Sequence, residues 1–257
     1  MRGEPGSTLS VTNLDRLEEV RSMYYARLAE HFLQQFGVKP LRRVVEAGCG
    51  KGQLTIPLAK RLLRSVSVIA VDSSTGPYEG SFEILESKLR SNGLERRVRP
   101  IRSDLRNMKT MAREGVDVVI SNELLCDIKT EIQLLKTFKE FHRILRPGGM
   151  MVHGEWASSP ENEAQRIVIR ADSPEGTDTP GRFWNPDRLS GLAREAGFRA
   201  VSVSYFETTM KFSYSSALSE LRSWGVRESF LRRNDRLLRQ YGIELPFEHL
   251  IKCQKEN

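Results

Sequence analysis

The segment Val44–Gln53, VVEAGCGKGQ, constrains this chain more than any other. An apolar run stops at Glu46, and Gly48, Gly50 and Gly52 follow at alternate positions. A buried strand that ends this way continues into a turn almost without side chains. Glycine lacks a Cβ, so it tolerates positive φ and lets a ligand lie against bare backbone. The helix predicted after the turn aims its free amides back at the same place. A dinucleotide fingerprint requires G-x-G-x-x-G, and here Gln53 stands where the third glycine belongs. A P-loop requires G-x-x-x-x-G-K-[ST], which this turn does not supply.

A chain of 257 residues suits one α/β domain with decorations. We expect residues 1–10 to be a disordered tail and 11–257 a single domain. No apolar stretch reaches the length of a membrane span, and MRGEPGSTLS lacks the apolar core of a signal peptide. Cys49, Cys126 and Cys253 are too few for a disulfide framework and lack metal-ligand spacing. The expectation is a soluble, cytoplasmic protein without a metal. The net charge of +7 admits an acidic partner such as nucleic acid. The arginines are nevertheless spread along the chain, and Arg232, Arg233, Arg236 and Arg239 fit a solvated helix face.

Periodicity orders the elements. Leu14, Leu17, Tyr24, Leu28 and Phe32 mark one face of a helix over 13–36. Thr12 with Asp15 forms a possible capping box, and Gly37 and Pro40 stop the helix. Strands are predicted at Arg43–Glu46, Val66–Val71, Val98–Ile101, Val116–Ser121 and Met150–Gly154. The helices between them cover Leu54–Leu63, Phe82–Ser91 and Glu131–Leu145. This alternation predicts a mostly parallel sheet with helices on both faces. Ser158–Arg182 reads as a long loop. Asn185 caps a helix with Pro186 at its first position. A sixth strand runs from Ala200 to Phe206, extending towards Met210. A helical insertion follows within 207–242, and a seventh strand spans Phe247–Lys252.

Glu46, Asp72, Asp104, Asn122 and Glu123 all fall at the carboxyl ends of predicted strands. Open α/β sheets bind ligands there. E-x-G-x-G-x-G resembles motif I of the class I S-adenosylmethionine-dependent methyltransferases. LRPGG and NPDRLSGLAREAGF resemble that family's segments before its fifth and sixth strands. The resemblance covers Arg43–Phe206 and is closest to the ubiquinone and menaquinone methyltransferase branch. It implies a Rossmann-like, seven-stranded fold with a cofactor core over 43–157. It also implies S-adenosylmethionine as cofactor and S-adenosylhomocysteine as product. Gly48, Gly50 and Gly52 would lie along the methionine part, and Glu46 would hold its amino group. Asp72 would take the ribose, with Ser73 beside it. Asp104 and Leu105 would flank the adenine, and Asn122 would lie near the methionine carboxylate or sulfonium. Relatives often read S-N-x-x-L-H-H after the fourth strand; here Cys126 and Asp127 replace the histidines, which puts any imidazole role in doubt.

Methyl transfer from a sulfonium is an in-line displacement, so positioning does much of the work. A base is needed only for a protonated acceptor. Glu123, His153 and Glu155 are the candidates, His153 reading equally well as a strand residue. Tyr24, Tyr25, Trp184 and Tyr214 are candidate walls for a small or medium-sized organic acceptor. The N-terminal helix and the insertion would then form a lid. Two alternatives stay open. One is methylation of RNA or protein; the other is a non-catalytic partner or regulatory subunit that only binds the cofactor.

Overall fold

Interior strands of this chain carry consecutive valine, isoleucine and alanine with no polar face, the pattern of strands covered on both sides. A computed structural model describes residues 8–12, 16–37, 40–75, 79–128, 130–172, 184–207 and 209–256. The elements in chain order begin with β1 (Leu9–Val11), α1 (Leu17–Gln35), β2 (Arg43–Ala47), α2 (Thr55–Arg61) and β3 (Ser67–Asp72). They continue with α3 (Ser81–Ser91), β4 (Val98–Arg102), β5 (Val116–Asn122), α4 (Glu131–Ile144) and β6 (Leu145–Trp156). The second half holds α5 (Glu163–Asp172), α6 (Pro186–Glu195), β7 (Arg199–Phe206) and β8 (Met210–Phe212). The chain closes with α7 (Tyr214–Ser223), α8 (Glu228–Arg233), α9 (Asp235–Tyr241), β9 (Ile243–Glu244) and β10 (Glu248–Gln254).

Seven strands form one sheet in the order β4-β3-β2-β5-β6-β10-β7. β2 pairs in parallel with β3 and with β5, β3 with β4, and β5 with β6. β10 runs antiparallel between β6 and β7. The order reverses at β2, so a crevice opens beyond the carboxyl ends of β2 and β5. This is the Rossmann-like sheet expected from the sequence. Alternate residues of each strand feed two cores. Val44, Val118, Ile120 and Val152 meet Tyr24, Leu28 and Phe32 of α1, Leu58 of α2 and Leu85 of α3. Val45, Val119 and Met151 meet Phe138 and Phe141 of α4 and Leu189 and Leu192 of α6.

Three expectations need correction. Leu9 and Ser10, expected in the disordered tail, belong to a strand: Leu9–Val11 pair in parallel with β8 and bury Leu9 and Val11; residues 1–7 lie outside the described residues. The sixth strand does not extend to Met210; β7 ends at Phe206, and β8 joins a separate small sheet of order β1-β8-β9. The segment expected as a loop contains α5, which buries Ala164 and packs Ile167 and Val168 into the first core. Asp15 of the expected capping box lies outside the described residues. The cap of α6 is as predicted: Asn185 Oδ1 accepts from the amides of Asp187 and Arg188, with Pro186 at the first helical position.

Candidate active site

The glycine turn leaves β2 with all three glycines at positive φ: Gly48 at +77°, Gly50 at +46° and Gly52 at +78°. Packing explains two of them. A Cβ on Gly48 would stand 2.7 Å from Leu124 Cδ1, and one on Gly52 would stand 2.5 Å from Leu85 Cδ1. Gly50 differs, since a Cβ there meets nothing within 4 Å. It faces a cavity of about 630 Å³ whose lining includes Gly48, Asp72, Ser73, Asp104, Leu105 and Glu123. That volume lies within the usual range for small-ligand and cofactor sites.

Asp72 ends β3 and anchors the turn. Its Oδ2 accepts from the Gly50 amide at 2.9 Å, and its Oδ1 accepts from the Ser74 amide at 2.8 Å. A carboxylate offers about four acceptor sites, so capacity remains for ligand hydroxyls. Asp104 is gripped by its neighbour. The Arg106 guanidinium donates to both oxygens at 2.8–3.2 Å, and this holds the Asp104 carboxyl below its ordinary range. Glu46 lies beneath the turn, 3% exposed, and its Oε2 has no hydrogen-bond partner among the described residues. Burial pushes its pKa up to about 8. These features fit the methionine end of the expected cofactor. An amino group would satisfy the orphaned Glu46 oxygen, and the bare Gly50 backbone gives a ligand room to approach.

Glu123 follows β5 at φ +47°, a left-handed conformation uncommon for a residue with a Cβ. Its amide donates to Gly154 O at 3.0 Å, which fixes this bend. Asn122 does not line the cavity, but its Oδ1 stands beside Gly154. Burial is the main cause that drives the Glu123 pKa well above the ordinary carboxylate range, and the charges of Glu248 and Glu155 add to it. Glu155 is wholly buried; its Oε2 accepts from the Cys126 amide at 3.2 Å and stands 3.3 Å from His153 Nε2. His153 is equally buried, with Nδ1 2.9 Å from Ser121 Oγ. Burial lowers its pKa to about 3, so the ring is neutral. Of the three candidate bases, only Glu123 reaches the cavity.

None of the four candidate wall residues lines the cavity itself. Trp184 donates its indole N–H to Leu125 O at 2.9 Å. Tyr214 is held within the insertion, where its hydroxyl donates to Asp235 and Arg239 stacks on its ring. Tyr24 is buried in α1 and donates its hydroxyl to Glu248 on β10; Tyr25 meets its ring edge-on at 5.2 Å. Glu248 escaped the sequence reading. Its partner Tyr24 is 224 positions away, and no local pattern announces such a contact.

Residues 19–203 match the profile of a family described as "Methyltransferase domain". The chain belongs to this methyltransferase family. As a family member it is 27% identical over 163 residues to a ubiquinone biosynthesis O-methyltransferase of Ruegeria pomeroyi. That match covers 62% of this chain and 60% of the relative. Among solved structures, the YcgJ protein of Bacillus subtilis superposes with a TM-score of 0.65 at 14% identity, covering 91% of this chain and 99% of that one. A SAM-dependent methyltransferase of Aquifex aeolicus gives 0.56 at 14% identity, covering 91% and 97%. These two likenesses establish the fold. The family's cofactor is S-adenosylmethionine.

Proposed function

We propose that this chain transfers a methyl group from S-adenosylmethionine to a small or medium-sized organic acceptor. The observation that carries the reading is the juxtaposition, in one cavity, of the open Gly50 backbone with Asp72, with Glu46, whose Oε2 is orphaned, on the strand that leads into the turn. The bound cofactor supplies an activated methyl group on a sulfonium. Glu46 and the glycine turn hold its amino-acid end. The free acceptor sites of Asp72 take the ribose, with Ser73 beside it. Leu105 and Asp104 border the adenine, the latter kept ionised by Arg106. The acceptor enters from the Glu123 side. There α1 and the helices of 214–241 act as a cover that excludes water: Arg21 of α1 pairs with Glu220 of α7, and Trp224 lies 5.9 Å from Trp156 at the end of β6. Tyr24, Tyr25, Trp184 and Tyr214 shape this cover from outside the cofactor cavity. Asn122, behind Glu123, orients it.

The named relatives act on oxygen in ubiquinone biosynthesis; at 27% identity the acceptor atom is left to this chain's own residues. Cys49, Cys126 and Cys253 are all free thiols, which fits a reducing, cytoplasmic compartment. Among the described residues no helix is long and apolar enough to cross a membrane. The test is transfer of tritiated methyl from S-adenosylmethionine in the presence of a cell extract. Label in the small-molecule fraction supports the reading. Label confined to RNA or protein contradicts it.

A further inference from the structure

At the inner rim of the cofactor cavity, two carboxyl groups meet with no cation against them among the described residues. Glu248 is wholly buried at the start of β10. One oxygen accepts from Tyr24, and the other, Oε2, has no partner among the described residues. Glu123 approaches it from the tip of β5, lines the cavity, and also keeps an orphaned oxygen, Oε1. Asn122 Oδ1 is a third orphaned acceptor in the same place. A Cβ on Gly154 would stand 2.3 Å from Asn122 Oδ1 and 2.9 Å from Glu248 Oε2, so both oxygens crowd over that glycine. Glu155, on the opposite face of β6, adds negative potential to both glutamates.

Neutral donors are at hand, since the Asn122 amide borders both glutamates and the Trp156 indole borders Glu123. What is absent is a counter-charge: none of the described lysines or arginines forms an ion pair with Glu123 or Glu248. A buried carboxylate without a counter-charge is costly, and proteins normally pair it. Left alone, the two groups keep their protons; a donor-rich cation from outside the chain would let them ionise. A metal ion does not fit, because the described residues hold no metal-ligating group of histidine, cysteine and carboxylates. An ammonium fits: it brings three donors and no acceptor. The left-handed backbone at Glu123 is a strain of the kind retained at binding sites.

We propose that Glu123 and Glu248 bind the amine group of the methyl acceptor, which makes the acceptor nitrogen-bearing; this rests on the methyltransferase reading above. The bound ammonium first passes one proton to the Glu123 carboxylate, which frees the nitrogen lone pair. That lone pair forms the N–C bond as the C–S bond of the sulfonium donor breaks, and the C–S electron pair stays on sulfur as a neutral thioether. The methylated nitrogen leaves as an ammonium, and the proton held by Glu123 passes to solvent.

The test uses matched probes, 2-phenylethylamine and the isosteric 2-phenylethanol. Each is titrated by calorimetry into the full chain with and without S-adenosylhomocysteine, near neutral pH. The amine should bind about tenfold or more tightly than the alcohol, as charge-assisted hydrogen bonds imply. Glu248→Gln, nearly isosteric, should erase that preference. Equal or undetectable binding of both probes, with S-adenosylhomocysteine bound normally, overturns the amine site and leaves the methyltransferase reading intact. No S-adenosylhomocysteine binding, with the amine preference retained, overturns that reading and leaves the amine site standing. The wild-type comparison stands even where the variant fails to fold.

Discussion

At the scale of single residues, this protein stores unpaired carboxyls where ligands are expected. Burial lifts Glu46, Glu155 and Glu248 to about 8. A carboxyl whose folded pKa is raised contributes stability that is full below its unfolded pKa, near 4.5, and lost as pH rises through 8. Buried His153 and His249 work the other way: their folded pKa values fall to about 3 and 4 from 6.5. Their stability is present above 6.5 and lost as pH falls. Between about 6.5 and 8 only the carboxyl effect remains. Melting temperature of the free protein should therefore fall across that window, and the fall should shrink in Glu248→Gln. A flat or rising profile would contradict the assignment. The three glycines make a second contrast. Gly48→Ala combines a left-handed backbone with a Cβ driven into Leu124 and should cost roughly 1–3 kcal/mol more than Gly50→Ala. Gly50→Ala meets open space and should cost only the roughly 1–2 kcal/mol of its left-handed backbone. Urea unfolding of both variants separates the two costs. These glycines were legible because a turn after an apolar strand has a local signature. Glu248 was not, because its significance exists only once β10 lies beside β6 and under α1.

At the scale of elements, local chemistry announced some boundaries and hid others. Asn185-Pro186 marks the start of α6 through a side-chain cap and a preset φ, both properties of two adjacent residues. Asn185→Ala should destabilise the fold by about 1 kcal/mol, read as a lower melting temperature. An unchanged temperature would mean that the cap is replaced by solvent. By contrast, α5 was hidden. Its apolar stripe of Ala164, Ile167 and Val168 spans barely one turn, and its support is tertiary: Gln165 Nε2 donates to buried Glu244 at 3.0 Å. β1 was hidden for a related reason. A three-residue strand carries no period, and its partner β8 lies some two hundred positions away.

At the scale of the whole molecule, the sheet supplies a crevice, and the chain's additions set what enters it. The alternation of strands and helices and the glycine turn were readable from sequence, since each rests on short-range pattern. The acceptor end was not, since α1, β10 and α7 meet there from distant parts of the chain. Part of the basic charge is spent internally: Arg21, Arg143, Arg146, Arg188 and Arg239 each pair with a carboxylate. The expected basic stripe thus already loses Arg239 to Asp235 and to the ring of Tyr214. The central claim is that the cavity at Gly50 holds the cofactor. Its most direct test is calorimetric titration of S-adenosylhomocysteine into the wild type and Gly50→Leu, with circular dichroism confirming that both are folded. One site is expected in the wild type and none in the variant, whose side chain would project into the cavity where the ligand approaches the bare backbone. Equal binding by the two proteins, or none by a folded wild type, would contradict it.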